Sequence, residues 1–505
     1  MTSLVLVVSE EAVLSDQELF EIDCLFPNDF VAVISPGIGR VPAMMRLTHF
    51  STEVAEFHGL ERLIEVMDLS AILLRPGGFN RLRKPLLSAM MSRSMPRFYQ
   101  FQGAQLERYK FDKAQNGRVV FIYPGVFAPT KNGSTQRAFS LLLGLLSSGY
   151  QVEVVIPFGK GTHNFKLFLK QFGIGVHLFG HGRFQSPINF ARNVAKRALG
   201  LDYYLPYFAR LKFALSPEFR KCVTRILQRG DKVIVTYAWM VPTFIKSDQG
   251  VDVIVDTHDV NFVRDRNYYQ ARTLIARTLE RLNKWLEVRT LNKANRVLAI
   301  SEADKSIFEA EGLSTPVTLL EPSFEWMEGT SIQNKPEALN FGFIGSNMIA
   351  NRLAVDEIVN ELWPRIVGAR PNATLFIAGG ICDHLKDRET LGRNVIPLGF
   401  VTSLEGYFTK IDALISPIMM QGGLNFKVIE SLCCGVPVLV NKEAEHLESL
   451  SPIVYSYKRR DAVADFLSFA DAFARDADRR TALAARFRAQ QSNKFYSALT
   501  GILRN

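Results

Sequence analysis

Short, uninterrupted apolar runs alternate with helical patterns along most of this chain, and this alternation restricts the fold more than any other feature. One series begins at Arg118 and includes RVVFIYPG, QVEVVIPF, KVIVTYAW, VDVIVDTHD and RVLAIS. After the polar stretch EGTSIQNKPEA, a second series includes LNFGFIGS, ATLFIAGG, NVIPLGF, DALISPI and VPVLVN. Continuous apolar strands between amphipathic helices are typical of parallel sheets covered on both faces. The sequence therefore predicts an α/β protein with two doubly wound parallel-sheet domains.

The same patterns divide the chain into four predicted regions. Its 505 residues exceed what one ordinary core accommodates. We assign residues 113–332 and 333–490 to the two sheet domains, with a hinge in the polar stretch at 328–338. Residues 1–112, with strand-like LVLVV and FVAVISPG, form an appended α/β region without an assigned role. Residues 491–505 form a C-terminal helix, for which a return to the first domain is one open arrangement.

Composition narrows the class of protein. The apolar fraction of 47% and the charged fraction of 22% are typical of a folded globular chain. The five cysteines are scattered and lack CxxC or Cys/His spacing, so we expect no metal and a reducing, cytoplasmic environment. The first residues resemble a strand more than a signal peptide, and no apolar run reaches the roughly 18 residues of a membrane span. The net charge of +10 indicates an anionic partner, with nucleic acid, a membrane surface and a phosphorylated substrate all open.

The stretch QGGLNFKVIESLCCGVPVLV contains the pattern of an anion site. Its glycine pair precedes a predicted helix with Asn425 as N-cap, and Lys427 and Glu430 lie on one face of that helix. Glycine amides, a helix N-terminus and an ammonium suit phosphates, while a carboxylate suits the hydroxyls of a ribose. These features predict a nucleoside diphosphate site. The alternative is an ordinary ion pair on a solvated helix.

The order of motifs from about residue 118 to residue 490 resembles the retaining family-four, or group 1, glycosyltransferases of the GT-B fold, which have two Rossmann-like domains. FIGSNMIANRLAVDEIVNELWPRIVGARPNATLFIAGG, VIPLGFV and the glycine-rich stretch resemble the donor domain of that family. PTKNGSTQRAFSLLLGLLSSGYQVEVV resembles its P-x(n)-GG-x-x-R opening, with Ser134 at the second glycine position. The resemblance implies that the donor is bound by Gly133, Ser134, Arg137, Gly422, Gly423, Leu424, Lys427 and Glu430.

The chain departs from the family pattern at two places. A glutamate that contacts the transferred sugar in the family is replaced by Gly422. The Arg and Lys that hold the diphosphate after the first donor-domain strand are replaced by Ser346 and Ala350. Lys427, the loop amides and Arg352 are then expected to carry more of the binding.

The first domain offers a second group of candidate residues in VDVIVDTHDVN. His258 and Asp259 follow a predicted strand, and ligands of open α/β sheets collect at the carboxyl ends of strands. The family resemblance favours a catalytic role for both, near the donor sugar or the acceptor. The alternative for His258 is a loop hydrogen bond. Tyr237 ends a neighbouring strand and lines the same edge, unless it serves only packing.

A basic stretch lies between Arg183 and Arg229. It contains ten Lys and Arg residues against Asp202 and Glu218, interleaved with Phe and Tyr. Such a composition suits an anionic membrane surface, and a solvated helical face is the alternative. No signature of a nucleic-acid-binding module accompanies it, so we expect no nucleic acid partner.

Together, the motifs and the resemblance imply transfer of a sugar from a nucleotide sugar to a glycan or lipid-linked acceptor. The resemblance implies retention at the anomeric carbon, a role in surface polysaccharide or glycolipid synthesis, and no cofactor or metal. We expect a cytoplasmic protein, with peripheral attachment to the inner face of the cell membrane as an open arrangement. Two alternatives remain: a nucleotide-sugar 2-epimerase on the same fold, and a non-catalytic nucleotide-sugar-binding subunit of a polysaccharide assembly machine.

Overall fold

The structure is a computed structural model of the chain. Before residue 116 it describes the backbone of six strands. From there on, the described residues are 116–127, 133–170, 173–180, 215–245, 249–264, 274–324, 339–386, 391–401, 404–419, 424–441, 447, 450–457 and 462–504.

The appended region contains a six-stranded sheet in the order β3-β2-β1-β4-β5-β6. Strands β1 to β5 are parallel, and β6 returns antiparallel beside β5. The strands are β1 (Leu4–Val8), β2 (Phe30–Ser35), β3 (Leu47–Ser51), β4 (Leu69–Leu74), β5 (Arg97–Gln102) and β6 (Gln105–Arg108). The two strands predicted here, LVLVV and FVAVIS, are β1 and β2. LTHFS and RFYQFQ interrupt their apolar residues with polar ones, so they lack the continuous apolar run by which β1 and β2 were predicted.

The second sheet has seven parallel strands in the order β13-β12-β11-β10-β7-β8-β9. They are β7 (Arg118–Ile122), β8 (Gln151–Pro157), β9 (Gly175–Phe179), β10 (Lys232–Thr236), β11 (Asp252–Asp256), β12 (Arg296–Ala299) and β13 (Val317–Leu319). The described helices are α1 (Gly133–Ser147), α2 (Thr162–Lys170), α3 (Pro217–Ile226), α4 (Leu274–Leu291) and α5 (Glu302–Ala310). Val120, Ile122, Val233 and Val235 are fully buried, as expected for central strands covered on both faces.

The third sheet has six parallel strands in the order β16-β15-β14-β17-β18-β19. They are β14 (Asn340–Ile344), β15 (Thr374–Ala378), β16 (Val395–Gly399), β17 (Ala413–Ile415), β18 (Val438–Val440) and β19 (Val454–Ser456). The described helices are α6 (Ile349–Glu357), α7 (Trp363–Ala369), α8 (Cys382–Leu385), α9 (Leu404–Phe408), α10 (Phe426–Cys433), α11 (Ala462–Ala474) and α12 (Ala477–Arg504), and a π-helical turn, Ile358–Leu362, joins α6 to α7.

The strand order of the second and third sheets locates their ligand-binding edges. In both, the chain builds outward from the first strand, then crosses to its other side with the fourth. Ligands of such sheets bind outside the carboxyl ends of the strands at this switch point. It lies between β7 and β10 in one sheet, and between β14 and β17 in the other.

The chain forms two compact units. One contains Met1–Pro322 with Tyr496–Asn505, and the other contains Ser323–Phe495. We refer to them as the N-terminal and C-terminal units. The predicted boundaries at residues 332 and 490 stay predictions, and helix α12 begins at Ala477.

Candidate functional site

In the C-terminal unit, the loops after β14 and β15 are in backbone contact at the switch point. The N–H of Gly345 donates to the carbonyl of Ala378 at 3.1 Å, and the N–H of Ile381 donates to the carbonyl of Gly345 at 3.0 Å. Gly379 has a φ of 91°, and a Cβ there would lie 2.4 Å from the Gly345 oxygen. Glycine is therefore required at 379. This close packing fixes the loop that leads into helix α6.

Lys427 lies in the first turn of α10, is half-buried, and has its ammonium packed against two protein groups. The Nζ atom donates to Asn351 Oδ1 at 2.7 Å and lies 4.3 Å from the centre of the Phe343 ring. The Asn351 amide is held in turn by the carbonyl of Ser346 at 2.9 Å. Burial lowers the pKa of Lys427 to about 8, and the negative charge of Glu430 opposes that shift. The lysine side chain thus lies beside the loop after β14.

Glu430 is 6% exposed, one helical turn after Lys427. Because Glu430 is buried and Lys427 is half-buried, the face of α10 that carries them is not the solvated helix face of the alternative. Asn425 stands in the cap position before α10, but its side chain bonds no helix N–H, so the predicted side-chain cap is also wrong. Leu424 is half-buried, and its carbonyl accepts from the N–H of Phe426 at 3.0 Å. Gly422 and Gly423 lie outside the described residues.

The other end of α10 is anchored by arginines of α12. Arg488 Nη1 donates to the carbonyl of Cys433, and Arg480 Nε donates to the carbonyl of Gly435 at 3.3 Å. Cations suit the carboxyl end of a helix because its last carbonyls have no partner within the helix. These contacts orient the helix that carries Lys427. Sequence reasoning missed them because the arginines lie about fifty positions away, in a helix with no motif.

The second departure from the family pattern, Ser346 and Ala350 in place of two cations, lies at the amino end of α6. Ser346 is exposed, and Ala350 lies in the first turn of the helix. Arg352 Nε donates to Asn347 Oδ1 at 2.8 Å, so this guanidinium is close to the same loop. Lys427 and Arg352 are therefore the described cations beside the loop after β14.

In the N-terminal unit, the ends of β10 and β11 carry two residues in the left-handed region. Tyr237 has a φ of 72° and His258 a φ of 58°. Such angles are costly for bulky side chains and are typical of functional sites. The N–H of Tyr237 donates to the carbonyl of Asp256 at 2.8 Å. The centres of the Tyr237 and His258 rings lie 4.7 Å apart. The two strained residues therefore share one site.

Ser134, in the first turn of α1, joins this site. Its Oγ lies 2.9 Å from His258 Nδ1 and also contacts the hydroxyls of Tyr237 and Tyr123. On the other side of the ring, His258 Nε2 lies 2.9 Å from Asp256 Oδ2, which is the distance of an ion pair without the alignment of a hydrogen bond. Burial raises the pKa of the Tyr123 hydroxyl. Both nitrogens of His258 therefore face protein groups.

Arg137 holds the Asp256 carboxylate of this cluster in place. Its Nε donates to Asp256 Oδ1 at 2.8 Å, and its Nη1 donates to the carbonyl of Leu320 at 2.7 Å. Arg137 is 1% exposed and Asp256 is fully buried. Burial acts to raise the pKa of Asp256, but Arg137 and His258 lower it to about 2. The predicted contact of Arg137 with the donor stays a prediction, and its guanidinium holds the Asp256 carboxylate.

The two predicted catalytic residues point to different partners. Asp259 pairs with Arg264, whereas His258 meets Ser134. Glu287 of α4 accepts from the N–H groups of Asn261 and Phe262 at 3.1 and 2.9 Å, which fixes the turn after Asp259. Burial raises the pKa of Glu287 to about 8, although these hydrogen bonds oppose the rise. Gly133 begins α1 beside Ser134.

The basic stretch lies partly outside the described residues, which resume at residue 215 with helix α3. Within the described part, Arg220, Lys221, Arg225 and Arg229 are exposed. Among the described residues, no helix combines the length and the apolar character that a bilayer span requires. The described part of the chain also contains no group of three or more His, Cys, Asp or Glu side chains suited to a metal.

Residues 338–469 match the family described as glycosyl transferases, group 1. This stretch of the chain is thus similar to the group 1 glycosyltransferases. The resemblance to group 1 glycosyltransferases of the GT-B fold is therefore confirmed, whereas retention at the anomeric carbon stays a prediction. The matched residues include Lys427, Glu430 and the loop after β14. No curated protein matches the sequence.

Solved structures share the fold of this chain at low identity. TarM aligns with a TM-score of 0.52 and 10% identity, over 77% of this chain and 97% of TarM. Sucrose-phosphate synthase from Thermosynechococcus elongatus has a TM-score of 0.51 and 13% identity, over 76% and 100% of the two chains. The E. coli trehalose-6-phosphate protein bound with UDP-2-fluoro glucose has a TM-score of 0.51 and 12% identity, over 77% and 99%. The predicted GT-B class, with two Rossmann-like domains, is confirmed.

Proposed function

We propose that this protein transfers a sugar from a nucleotide sugar to an acceptor hydroxyl, with retention at the anomeric carbon. The observation that carries the proposal is the position of the Lys427 ammonium, in the first turn of α10 and beside the switch-point loop of a stretch similar to the group 1 glycosyltransferases. An ammonium and a helix N-terminus together suit a diphosphate leaving group. The E. coli neighbour bound with UDP-2-fluoro glucose supports a nucleotide sugar as donor.

Three side chains of the C-terminal unit have distinct tasks in this proposal. Lys427 replaces its contact with the Asn351 amide by a contact with the diphosphate, whose negative charge grows as the bond to the sugar breaks. Glu430 binds the ribose hydroxyls, which a carboxylate can accept as a pair. Arg352 is close enough to the loop after β14 to compensate part of the remaining charge. The proposal requires no cofactor and no metal.

The acceptor side is proposed for the N-terminal unit, where Ser134, Tyr237 and His258 meet. A glycan or a lipid-linked glycan fits the resemblance, and surface polysaccharide or glycolipid synthesis is the proposed setting. Attachment to the inner face of the cell membrane through the basic stretch, in a cytoplasmic protein, belongs to the same proposal.

A thermal-unfolding screen of nucleoside diphosphates and nucleotide sugars tests the donor assignment. A ligand at 100 times its dissociation constant stabilises the folded protein by about 2.7 kcal/mol, which is readily measured. The stabilising nucleotide sugar is then incubated with and without glycan acceptors, and the products are separated. Transfer to an acceptor supports the proposal. Conversion of the donor to its epimer without an acceptor supports the 2-epimerase instead, and failure of every nucleotide to bind contradicts both.

A second candidate is a non-catalytic subunit that binds nucleotide sugars. It is favoured by Ser346 and Ala350, which occupy the positions of two cations in the related family. Weaker compensation of the diphosphate charge lowers leaving-group stabilisation more than it lowers affinity. The expected result for this candidate is tight donor binding without transfer or epimerisation, even with the full range of acceptors.

A further inference from the structure

Helix α4 of the N-terminal unit has polar residues on its buried side and large apolar residues on its exposed side. Asn283 and Glu287 are fully buried, whereas Leu282 is 41% exposed and Trp285 is 53% exposed. A surface helix normally places its apolar stripe against the core and its polar residues in water. Glu287 has a task inside the unit, because it accepts the N–H groups that fix the turn after β11. The fold therefore accounts for the buried acid, but not for the outward position of the tryptophan.

The exposed apolar side chains of α4 lie among cations. Successive helix residues are about 100° apart around the axis, so Arg281 and Arg289 lie on either side of Trp285, each about 40° from it. The Arg289 guanidinium lies 4.9 Å from the centre of the Trp285 ring. Among the described residues from 277 to 295, none of the exposed ones is acidic. We define the α4 outer face by five exposed residues: Arg277, Arg281, Leu282, Trp285 and Arg289.

This outer face belongs to the same helical layer as the described end of the basic stretch. Phe219 of α3 and Leu286 of α4 pack into one core cluster, together with Val120 and Val233 of the second sheet. Because side chains of one core cluster lie on one face of a sheet, α3 and α4 cover the same side of the unit. The exposed cations of α3 and the α4 outer face can therefore approach one flat surface together.

The mixture of charge and apolar area favours an anionic lipid bilayer as that surface. Tryptophan is enriched at the depth of the lipid headgroups, and arginine extends its apolar stem while its charge stays in the polar layer. Leu282 gains free energy only in an apolar environment, which the edge of the hydrocarbon supplies. The phosphate backbone of a nucleic acid attracts the cations equally well but has no such environment for leucine. The α4 outer face thus matches a membrane in both respects.

We propose that the α4 outer face binds anionic lipid bilayers, with Trp285 and Leu282 inserted among the headgroups and the arginines paired with lipid phosphates. This inference rests on the proposed function, because it extends the membrane attachment included there. It adds apolar insertion at a second helix to the charge attraction of the basic stretch. Both surfaces then contribute to one binding event, and loss of either should weaken it.

Co-sedimentation of the full chain with vesicles tests the insertion. Vesicles of phosphatidylglycerol and phosphatidylcholine in equal parts should bind the unchanged protein at least about tenfold more tightly than pure phosphatidylcholine. Leu282→Ser combined with Trp285→Ser should lower the partition coefficient on the anionic vesicles at least about tenfold, because two side chains lose their apolar environment. This double variant has the net charge of the unchanged protein, so its loss of binding separates insertion from bulk charge.

A matched control removes two exposed apolar side chains of the same unit away from α4. Phe158, which follows β8, is 60% exposed, and Leu167 of α2 is 52% exposed. Helix α2 packs through Phe165 and Phe127 onto Phe121, which points to the face of the sheet opposite α3 and α4. Phe158→Ser combined with Leu167→Ser should keep the vesicle binding of the unchanged protein. Equal loss in both double variants would overturn the inference.

The fluorescence of Trp285 gives a second measurement. Vesicles with brominated acyl chains quench a tryptophan that approaches the hydrocarbon. They should quench the unchanged protein, and most of this quenching should be lost in Trp285→Phe, which retains an aromatic side chain and should bind within about threefold of normal. Trp239 and Trp363 are only 8% and 2% exposed and should contribute little. Equal quenching of the two proteins would overturn the inference.

The outcomes distinguish this inference from the proposed function. All substituted side chains are exposed, so each variant should unfold at the temperature of the unchanged protein. Normal vesicle binding by Leu282→Ser with Trp285→Ser overturns the inference and leaves sugar transfer intact. Vesicle binding that requires Trp285, in a protein that binds no nucleotide, supports the inference while the proposed function fails. A face that binds a single-stranded oligonucleotide or an acidic protein but no vesicle overturns the membrane assignment.

Discussion

The ammonium of Lys427 lies between the Phe343 ring and the Asn351 amide oxygen. Both neighbours attract a cation, but neither carries a negative charge. Burial therefore outweighs the attraction of Glu430 and lowers the pKa of the lysine. A diphosphate placed beside this ammonium would reverse the balance, because it supplies the charge that the protein does not.

Replacement of Lys427 separates binding of the diphosphate from binding of the nucleoside. Lys427→Met should weaken a nucleoside diphosphate about 10- to 100-fold, because a charge-assisted hydrogen bond contributes about 1.5–3 kcal/mol. Binding of the free nucleoside should change little. Isothermal titration calorimetry measures both, with Lys410→Met, at an exposed position of the same unit, as the control. Equal weakening of nucleoside and diphosphate would contradict the assignment.

The lowered pKa of Lys427 predicts a pH dependence of donor binding. The charged lysine is the form that binds a diphosphate, so affinity should be constant well below about pH 8 and fall as pH rises through about 8. The limiting slope is about tenfold per pH unit. Lys427→Arg, which stays charged, should abolish the slope. A slope that persists in Lys427→Arg would assign it to another group.

At the scale of secondary-structure elements, the site depends on how loops and helix ends are held. Backbone contacts with the loop after β15 fix the conformation of the loop after β14. One of them is the hydrogen bond from the Ile381 N–H to the Gly345 carbonyl. Helix α10 is held at its carboxyl end by α12. Neither support touches a ligand in the proposed function, but both set where the ligand-binding groups lie.

Two glycine substitutions in the same unit should have opposite effects on stability. Gly379→Ala places a Cβ 2.4 Å from the Gly345 oxygen at a φ of 91°, so it should lower the free energy of unfolding by about 2 kcal/mol or more. Gly368→Ala, in helix α7 with open space around it, should raise that free energy by about 0.5–1 kcal/mol. Chemical denaturation measures both. If both substitutions changed the free energy of unfolding equally, the loops after β14 and β15 would not be as tightly packed as the Gly379–Gly345 contact indicates.

The contribution of the Arg488 contact to the anchoring of α10 can be measured as a change in the free energy of unfolding. Arg488→Ala removes a charged donor from the Cys433 carbonyl and should lower the free energy of unfolding by about 1–2 kcal/mol, allowing for its partial exposure. Arg486→Ala, two positions away on the exposed side of α12, should change it by less than about 0.5 kcal/mol. Nucleoside diphosphate affinity should also fall in Arg488→Ala alone. A loss shared by both variants would indicate a general effect of helix charge.

At the scale of the whole molecule, the net charge of +10 is spread unevenly. The described end of the basic stretch presents Arg220, Lys221, Arg225 and Arg229 to solvent, and the guanidinium of Arg220 lies 5.6 Å from the Phe244 ring. Each basic residue near an anionic membrane contributes about 1 kcal/mol, and salt screens the attraction within about 8 Å.

Replacement of these four residues by Gln should weaken binding to anionic vesicles. Co-sedimentation at low salt should show binding of the unchanged protein, release at high salt, and loss in the fourfold variant. The control replaces four exposed basic residues of the C-terminal unit, Arg393, Arg475, Arg486 and Lys494, which removes the same net charge. Equal loss in both variants would indicate bulk charge, and no binding in any sample would contradict membrane attachment.

Local pattern was sufficient for the parallel-sheet class and for the helix that carries Lys427 and Glu430. Continuous apolar runs and glycine-rich turns act over a few neighbouring residues, so their consequences can be worked out from the chain. Strands with interspersed polar residues were harder to predict: β5, RFYQFQ, pairs in the first sheet without an uninterrupted apolar run. Asn425 illustrates the opposite error, since a favourable cap residue forms no capping bond.

The partners of the site residues, in contrast, depend on folding in three dimensions. Ser134 meets Tyr237 and His258 from positions 103 and 124 residues away. No periodicity encodes such a meeting, because it requires the strand order of the sheet and the left-handed turns at Tyr237 and His258. For the same reason, sequence grouped His258 with its neighbour Asp259, whereas the fold turns Asp259 toward Arg264 and brings His258 to Ser134. Adjacent side chains on a tight turn point in different directions, so proximity along the chain does not make them one site.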